Sequence, residues 1–238
     1  MIPKSPFLNV IKNSQQYFSP FIETFEDANS YIIVTQFVRG TTLSRYLKCK
    51  EPKFTEERAK CIMKQMFEAI MYLHSQGISH RNINLDNVLI DNFDKIVIIG
   101  FGSSSNSNNE FTINTKVDFT YFDNSESILK HPTLGTFDDT WALGVFLYYI
   151  IWGKPYYTGL NPYDLVTSMN GGNVLKPSNM SVPCYNLLLK LLDRNNQSHY
   201  SISLAQNHFW FSNNGKSGLY SKSLMGYQKF KIQKSKYV

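Results

Sequence analysis

One continuous apolar run limits what this chain can fold into. Residues 141–152 read WALGVFLYYIIW and contain no charged side chain. A helix needs about 20 residues to cross a bilayer, so this run is too short to span one. A helix that is apolar on every side is instead enclosed by other elements of a folded domain. The run therefore predicts a buried central helix and no membrane span.

Short strands precede a series of helices along the chain. Strands are predicted at residues 21–27 and 31–37, joined by a turn, and again at 88–90 and 95–99 around a second turn. Thr55 is a good N-cap, and apolar residues then recur at helical spacing up to Gly77. Further helices are predicted over 43–48, 141–152, 162–169, 182–192 and 202–209. Strands followed mainly by helices predict an α+β domain with a helical body.

Positive charge is concentrated at one end of the chain. The net charge is +6, yet no acidic residue follows Asp193, and that part holds Arg194 and six lysines. The preceding residues are therefore close to neutral. We expect residues 212–238 to form a basic, flexible tail that makes weak contacts with anions, and we expect no specific nucleic-acid partner.

The cysteines and the first residues bear on the compartment. Cys49, Cys61 and Cys184 lie far apart and lack metal-ligand spacing, which is typical of a reducing compartment. The first ten residues, MIPKSPFLNV, contain no signal-peptide core and no glycine at position 2 for myristoylation. We therefore expect an intracellular, cytoplasmic protein.

Two triplets separated by a strand pair form the most specific pattern in the sequence. His80-Arg81-Asn82 is followed by Asn87 and then by Gly100-Phe101-Gly102. The order and spacing match the H-R-D-L-x-x-x-N and D-F-G motifs, so residues 74–102 resemble the catalytic and metal loops of eukaryotic protein kinases. The overall sequence pattern resembles that of the calmodulin-dependent and related Ser/Thr kinases.

The resemblance continues downstream and covers residues 7–210. Residues 124–126 (Asn-Ser-Glu) stand where the family has Ala-Pro-Glu, and residues 139–144 (DTWALG) resemble the start of its central helix. The resemblance implies a protein-kinase-like fold, with a remnant of the small lobe and hinge at 1–40 and the large lobe at 41–211. No G-x-G-x-x-G or V-A-I-K is recognisable before residue 37, so we expect the first three small-lobe strands to be missing.

The resemblance assigns the catalytic positions to residues that lack the chemistry. Asn82 stands at the catalytic base, Asn84 at the phosphate-contacting Lys and Gly100 at the metal-binding Asp, while Asn87 matches the metal-binding Asn. An amide has no useful basicity, and one amide is a poor site for Mg²⁺. We therefore expect neither ATP nor Mg²⁺, the family's cofactors, to bind well. Asn87 is equally consistent with a turn-stabilising amide.

Structural parts of the family are retained. The resemblance assigns three residues to the internal spine of the family and its anchor: His80, Phe101 and Asp139. It also implies that Arg81 points toward the activation segment. There Arg81 is expected either to pair internally or to bind a phosphate. Asp139 is expected to cap backbone amides at a buried helix start. Glu126 is expected either to pair with His199 or to have an ordinary surface role. The remaining structural positions are Gly102, Trp141 and Gly144.

Three functions remain open on the sequence. The first is a catalytically inactive scaffold or allosteric protein-binding module, the second a degenerate but active ATP-dependent Ser/Thr kinase, and the third a truncated gene model of a kinase.

A strand that has lost its neighbour offers an edge to a protein partner, unless residues 1–20 fold back over it. The polar residues 103–110 are expected to be a mobile loop, with phosphorylation of the 103–107 serines as an alternative. The apolar side chains expected on the exposed strand edge are Ile22, Phe25, Ile32 and Val34.

Overall fold

The computed structural model describes residues 16–26, 31–49, 54–106, 110–111, 120–129, 131, 133–171, 176–194 and 200–212. Its strands are β1 (Phe21–Glu26), β2 (Tyr31–Thr35), β3 (Thr41–Thr42), β4 (Ile78–Ser79), β5 (Val88–Ile90), β6 (Ile96–Ile98), β7 (Ser105–Asn106), β8 (Glu110–Phe111) and β9 (Thr133–Leu134). Its α-helices are α1 (Leu43–Cys49), α2 (Glu56–Ser75), α3 (Ser125–Ile128), α4 (Gly135–Trp152), α5 (Pro162–Asn170), α6 (Val182–Leu191) and α7 (Ile202–Gln206). This arrangement confirms the predicted α+β class with a helical body.

Helix α2 begins and ends where the sequence predicts. The Thr55 hydroxyl accepts a hydrogen bond from the Arg58 amide at 3.3 Å, which satisfies a donor at the helix N-terminus. Gly77 follows the helix with φ 72°, a conformation that a residue without Cβ adopts readily. The apolar stripe faces the core as predicted: Ala59, Ile62, Met63, Met66, Phe67, Ala69, Ile70 and Leu73 are buried.

Helix α4 is the centre of the body. Fourteen of its eighteen residues are buried, which confirms the enclosed helix predicted from the apolar run. The helix packs against α2 and α6. It begins at Gly135, six residues before the apolar run, and a Cβ on Gly135 would lie 2.5 Å from the Ser79 Cβ atom, so this first turn packs closely against β4. Gly144 allows close packing here, since a Cβ on it would lie 2.8 Å from the Leu192 Cδ2 atom.

Glu56 joins three parts of the helical body. Its carboxylate accepts hydrogen bonds from the Ser181 amide at 2.8 Å, the Ser181 hydroxyl at 2.5 Å and the Trp210 indole at 2.7 Å. Ser181 is the N-cap of α6, and Trp210 lies in a short 3-10 helix, Phe209–Phe211. The single helix predicted over 202–209 is instead two elements. Helix α7 ends at Gln206, and the short 3-10 helix begins at Phe209.

A small antiparallel sheet of order β3-β5-β6 supports the candidate site. The segment before β1 extends this sheet, since the Ile98 amide donates to the Tyr17 carbonyl at 2.8 Å and Phe18 forms a parallel bridge with Ile98. The Tyr17 hydroxyl also donates to Glu68 on α2. Phe18 is completely buried. Residues 16–20 are thus fastened to the helical body.

The β1–β2 pair forms a separate two-stranded antiparallel sheet. Phe25 lies opposite Ile32 and Glu23 opposite Val34, with an irregularity between Phe21 and Glu23. Large apolar side chains on and next to this pair remain exposed: Ile22 56%, Phe25 51%, Ile32 47%, Ile33 38% and Phe37 86%. Exposure of Ile22, Phe25 and Ile32 agrees with the sequence prediction, whereas Val34 is half-buried.

The polar stretch 103–110 is not wholly the mobile loop that its composition predicts. Ser103 lies in a 3-10 helix, Phe101–Ser103, and Ser105–Asn106 pairs with Ile78–Ser79 as β7. Backbone pairing with a buried strand fixes this part, and composition alone does not reveal such a partner. Residues 1–15 of the fold-back predicted for 1–20, the turn at 27–30, His199 and residues 213–238 of the basic tail lie outside the described residues. Within the described ranges, no helix is long and apolar enough to cross a membrane.

Candidate functional site

The loop from His80 to Asn87 connects β4 to β5 and carries the polar residues of the site. His80 is completely buried, and its Nε2 atom lies 3.0 Å from the Ile99 carbonyl oxygen. Its ring lies 4.8 Å from the Phe101 ring. His80 therefore fastens the start of the loop to the chain that follows β6.

Asp139 holds the turn of this loop. Its buried carboxylate accepts hydrogen bonds from the His80 amide at 2.9 Å and the Arg81 amide at 2.7 Å, and it lies 2.8 Å from His74 Nε2. Arg81 has φ 60°, which is strained for a residue with a side chain, so these bonds stabilise an unfavourable backbone conformation. Asp139 was predicted to cap a helix start. It lies in the second turn of α4 and caps the amides of the loop instead, because α4 begins earlier, at Gly135.

Three asparagines bind one another inside the loop. The Asn84 side-chain amide donates to Asn82 Oδ1 at 2.9 Å, and the Asn87 side-chain amide donates to the Asn82 carbonyl at 2.8 Å. Asn84 Oδ1 accepts from the amides of Asp86 at 2.9 Å and Asn87 at 3.0 Å. The polar groups of these side chains thus stabilise the loop itself.

Gly100 faces Asn87 across the site. It has φ 82°, in the left-handed region that favours glycine. A Cβ atom at this position would lie 2.3 Å from Asn87 Oδ1 and 2.4 Å from its Cγ. The Asn87 side chain therefore occupies the space that a side chain on residue 100 would need.

Phe101 lies in an aromatic cluster behind the site. Its ring is 5.6 Å from Phe18 in an edge-to-face arrangement and 4.8 Å from His80. Phe18 was not predicted to belong to the site, because residues 1–20 are weakly patterned. The available signal was a single large apolar residue just before a strand. Gly102 is exposed, with no atom within 4 Å of where a Cβ would stand.

A second network ties Arg81 to the segment before α4. Its guanidinium donates to the Thr133 carbonyl at 2.6 Å, and its Nε lies 3.2 Å from Asp138 Oδ2. Asp138 also accepts hydrogen bonds from Asn124 at 2.7 Å, Ser127 at 2.9 Å and Thr133 at 3.0 Å. Burial raises the pKa of Asp138, although Arg81 and these three donors oppose the shift. The internal pairing predicted for Arg81 is present, but its partner Asp138 was missed.

The other predicted structural residues lie farther from the loop. Trp141 is completely buried, and its ring stacks on Tyr157 at 6.1 Å. Glu126 accepts a hydrogen bond from the neighbouring Ser125 hydroxyl at 2.9 Å. The structure thus brings Asn82, Asn84, Asn87 and Gly100 into one site, with His80, Arg81, Phe101 and Asp139 as its supports.

These residues do not fit a magnesium ion. Mg²⁺ prefers oxygen ligands that include carboxylates, in near-octahedral geometry. Here the Asn84 amide donates to Asn82 Oδ1, the Asn87 amide donates to the Asn82 backbone carbonyl, and position 100 contributes no side chain. Among the residues that the structure describes, no three His, Cys, Asp or Glu side chains are grouped so as to hold a metal.

Comparison with known proteins shows which family shares this fold. The chain is 29% identical over 184 residues to protein kinase kin1 of Schizosaccharomyces pombe, covering 77% of this chain and 20% of that protein. It is 31% identical over 191 residues to serine/threonine-protein kinase ppk6 of the same yeast, covering 80% and 24%. For sperm motility kinase 2B of Mus musculus the identity is 26% over 189 residues, covering 79% and 39%.

The chain therefore spans between a fifth and two fifths of the length of these three relatives. The protein kinase domain family matches residues 8–211, which include the loop, the aromatic cluster and the helical body. On this match the chain belongs to the protein kinase family.

Proposed function

We propose that this chain is a catalytically inactive protein kinase domain that works by binding other proteins. The observation that carries the proposal is the contact between Gly100 and Asn87. The position assigned to the metal-binding Asp lacks a side chain, and Asn87 fills the space where one would stand. In our proposal the large lobe comprises residues 41–211, the small-lobe remnant and hinge 1–40, and the basic tail 212–238.

The proton-accepting role has no suitable group in the loop. A general base needs a lone pair with useful basicity, and the Asn82 amide has none. Its Oδ1 atom already accepts a hydrogen bond from Asn84, which stands at the position of the phosphate-contacting Lys. In phosphoryl transfer, positioning and charge stabilisation supply nearly all of the rate. Loss of the base, the metal carboxylate and this lysine together therefore predicts no turnover.

The same residues predict weak nucleotide binding without a metal contribution. Ligand binding to the native state raises stability by RT ln(1 + [L]/Kd), so weak ATP binding gives little shift in the melting temperature. We expect millimolar ATP to change the melting temperature of the full chain by less than about 1 °C, equally with and without Mg²⁺. A shift of several degrees that requires Mg²⁺ would contradict the proposal.

The protein-binding part of the proposal rests on strand β2. Its residues, YIIVT, carry no charge, and in the described part of the chain β2 pairs with β1 alone. Natural edge strands are protected by lysine, proline or a bulge, and exposed apolar edges accept additional strands. We propose that an extended apolar segment of another protein pairs with this edge in the cytoplasm, where the three free cysteines stay reduced.

Self-association reports whether the β2 edge is accessible. We expect light scattering to detect association of the full chain at high concentration, and Ile33→Lys to abolish it because lysine protects an edge. Leu160→Lys is the matched control, since Leu160 is 98% exposed and lies outside the sheet. A strict monomer in which the β1 and β2 amides exchange slowly, unaffected by Ile33→Lys, would remove the reason to expect a partner there.

A further inference from the structure

The outer edge of β1 is acidic and apolar. Glu23 and Glu26 are exposed, as are Thr24 and Phe25 between them. Within the described residues β1 pairs with β2 alone, so its other edge has no strand beside it there. An edge with this composition fits a strand that is basic and apolar in alternation.

The tail of the same chain contains such a segment. Residues 229–234 read KFKIQK, in which Phe230 and Ile232 alternate with Lys229 and Lys231. Alternation with a period of two is typical of a strand with one apolar face. Elsewhere beyond Ser212, apolar and basic residues do not alternate in this way.

One antiparallel register makes the two segments complementary at four successive positions. It places Phe25 opposite Ile232. The same register places Glu23 opposite Lys234, Glu26 opposite Lys231 and Thr24 opposite Gln233. Opposite charges and apolar pairs that face each other across strands stabilise a sheet. We propose that residues 231–234 pair with the outer edge of β1 in the same molecule, so that the two-stranded sheet becomes three-stranded.

Chain length permits this contact. Ser212 is the last described residue, and the eighteen residues between it and Lys231 can span about 60 Å when extended. A globular chain of this size has a radius of gyration of about 18 Å, so the segment is more than three times as long as that radius and reaches far around the surface. In an antiparallel pairing of β1 with β1 of a second copy that is centred between Thr24 and Phe25, Glu23 faces Glu26, so this register is disfavoured.

From its charge alone the tail is predicted to be solvated and flexible. In the proposed pairing, residues 231–234 of the tail instead form a strand. The pairing leaves the uncharged β2 edge open. It does not involve the candidate site, so it is independent of whether the chain is catalytically inactive. It also explains how an acidic strand edge and a basic tail coexist in one chain without requiring a nucleic-acid partner.

Hydrogen exchange of the full chain tests the contact. We expect residues 21–26 to be protected, and Lys231→Glu with Lys234→Glu to speed their exchange about tenfold. The matched control is Lys216→Glu with Lys222→Glu, which changes the net charge equally and lies outside the proposed strand; it should leave exchange unchanged. Exchange in α2 monitors the fold in both variants.

A charge swap separates specific pairing from general attraction. Adding Glu23→Lys to Lys234→Glu should restore protection of residues 21–26. Equal effects of the two lysine pairs, or no effect of either, would overturn the proposal. Protection of residues 21–26 that rises with protein concentration in the Ile33→Lys variant, whose β2 edge is blocked, would overturn it as well, because the strand would then come from a second copy.

Discussion

Replacing Gly100 by alanine tests the geometry on which the proposed function depends. The new Cβ would lie 2.3 Å from Asn87 Oδ1, whereas ordinary contacts begin at about 3.4 Å. Asn87 must therefore move by about 1 Å and lose its 2.8 Å hydrogen bond to the Asn82 carbonyl. The left-handed φ of residue 100 costs a further 1–2 kcal/mol, roughly, for a residue with a Cβ, and the lost bond costs about 0.5–1.5 kcal/mol.

Gly100→Ala should therefore lower the free energy of unfolding by about 2–3 kcal/mol, measured by urea denaturation. Gly102→Ala is the matched control, because nothing lies within 4 Å of its Cβ position; we expect a change within about 1 kcal/mol. In an Asn87→Ala background, Gly100→Ala should cost about 1 kcal/mol less, since the overlap is gone. Equal costs for Gly100→Ala and Gly102→Ala would show that Asn87 does not fill this space.

Three further substitutions test the helical body and the network around the site. Glu56→Gln should cost about 1–2 kcal/mol in unfolding experiments, because it weakens three charge-assisted hydrogen bonds, whereas Glu57→Gln, at an exposed position of the same helix turn, should cost little. Asp139→Asn should cost about 3 kcal/mol, since one amide oxygen cannot replace a buried carboxylate that holds the His80 turn; an unchanged melting temperature would contradict this. The raised pKa of Asp138 means that the native state binds its proton more tightly than the unfolded chain does, so stability should fall as pH rises from the ordinary carboxyl range through that raised pKa. Asp138→Asn should remove this slope from melting curves recorded against pH, and an unaltered slope would assign it to another group.

Local rules explain why the helical body was predictable from the sequence. The Thr55 cap, the apolar stripe of α2 and the uncharged run of α4 each determine their own structure, and all three are present. The positions of Asn82, Asn84, Asn87 and Gly100 in one site follow from motif spacing, which the family fold converts into proximity. The predicted α+β class rests on the same local signals.

The remaining features depend on contacts between distant residues. Asp138 pairs with Arg81, and Ser105–Asn106 gains order from β4, but neither partner lies nearby in the sequence. Asp139 was assigned to the cap of its own helix because the sequence placed the helix start too late. Phe18 is fixed by Phe101, more than eighty residues away, so no periodicity marks it.

Phosphoryl transfer by the purified chain is the most direct test of the proposed function. The protein is incubated with γ-labelled ATP, Mg²⁺ or Mn²⁺ and generic protein substrates, beside a heat-treated sample and an active Ser/Thr kinase. Because Asn82 has no basicity and Gly100 offers no metal ligand, we predict no label in the substrates or in the chain above the heat-treated sample. Robust incorporation that disappears on Asn87→Ala would contradict the proposal and identify the chain as an active kinase.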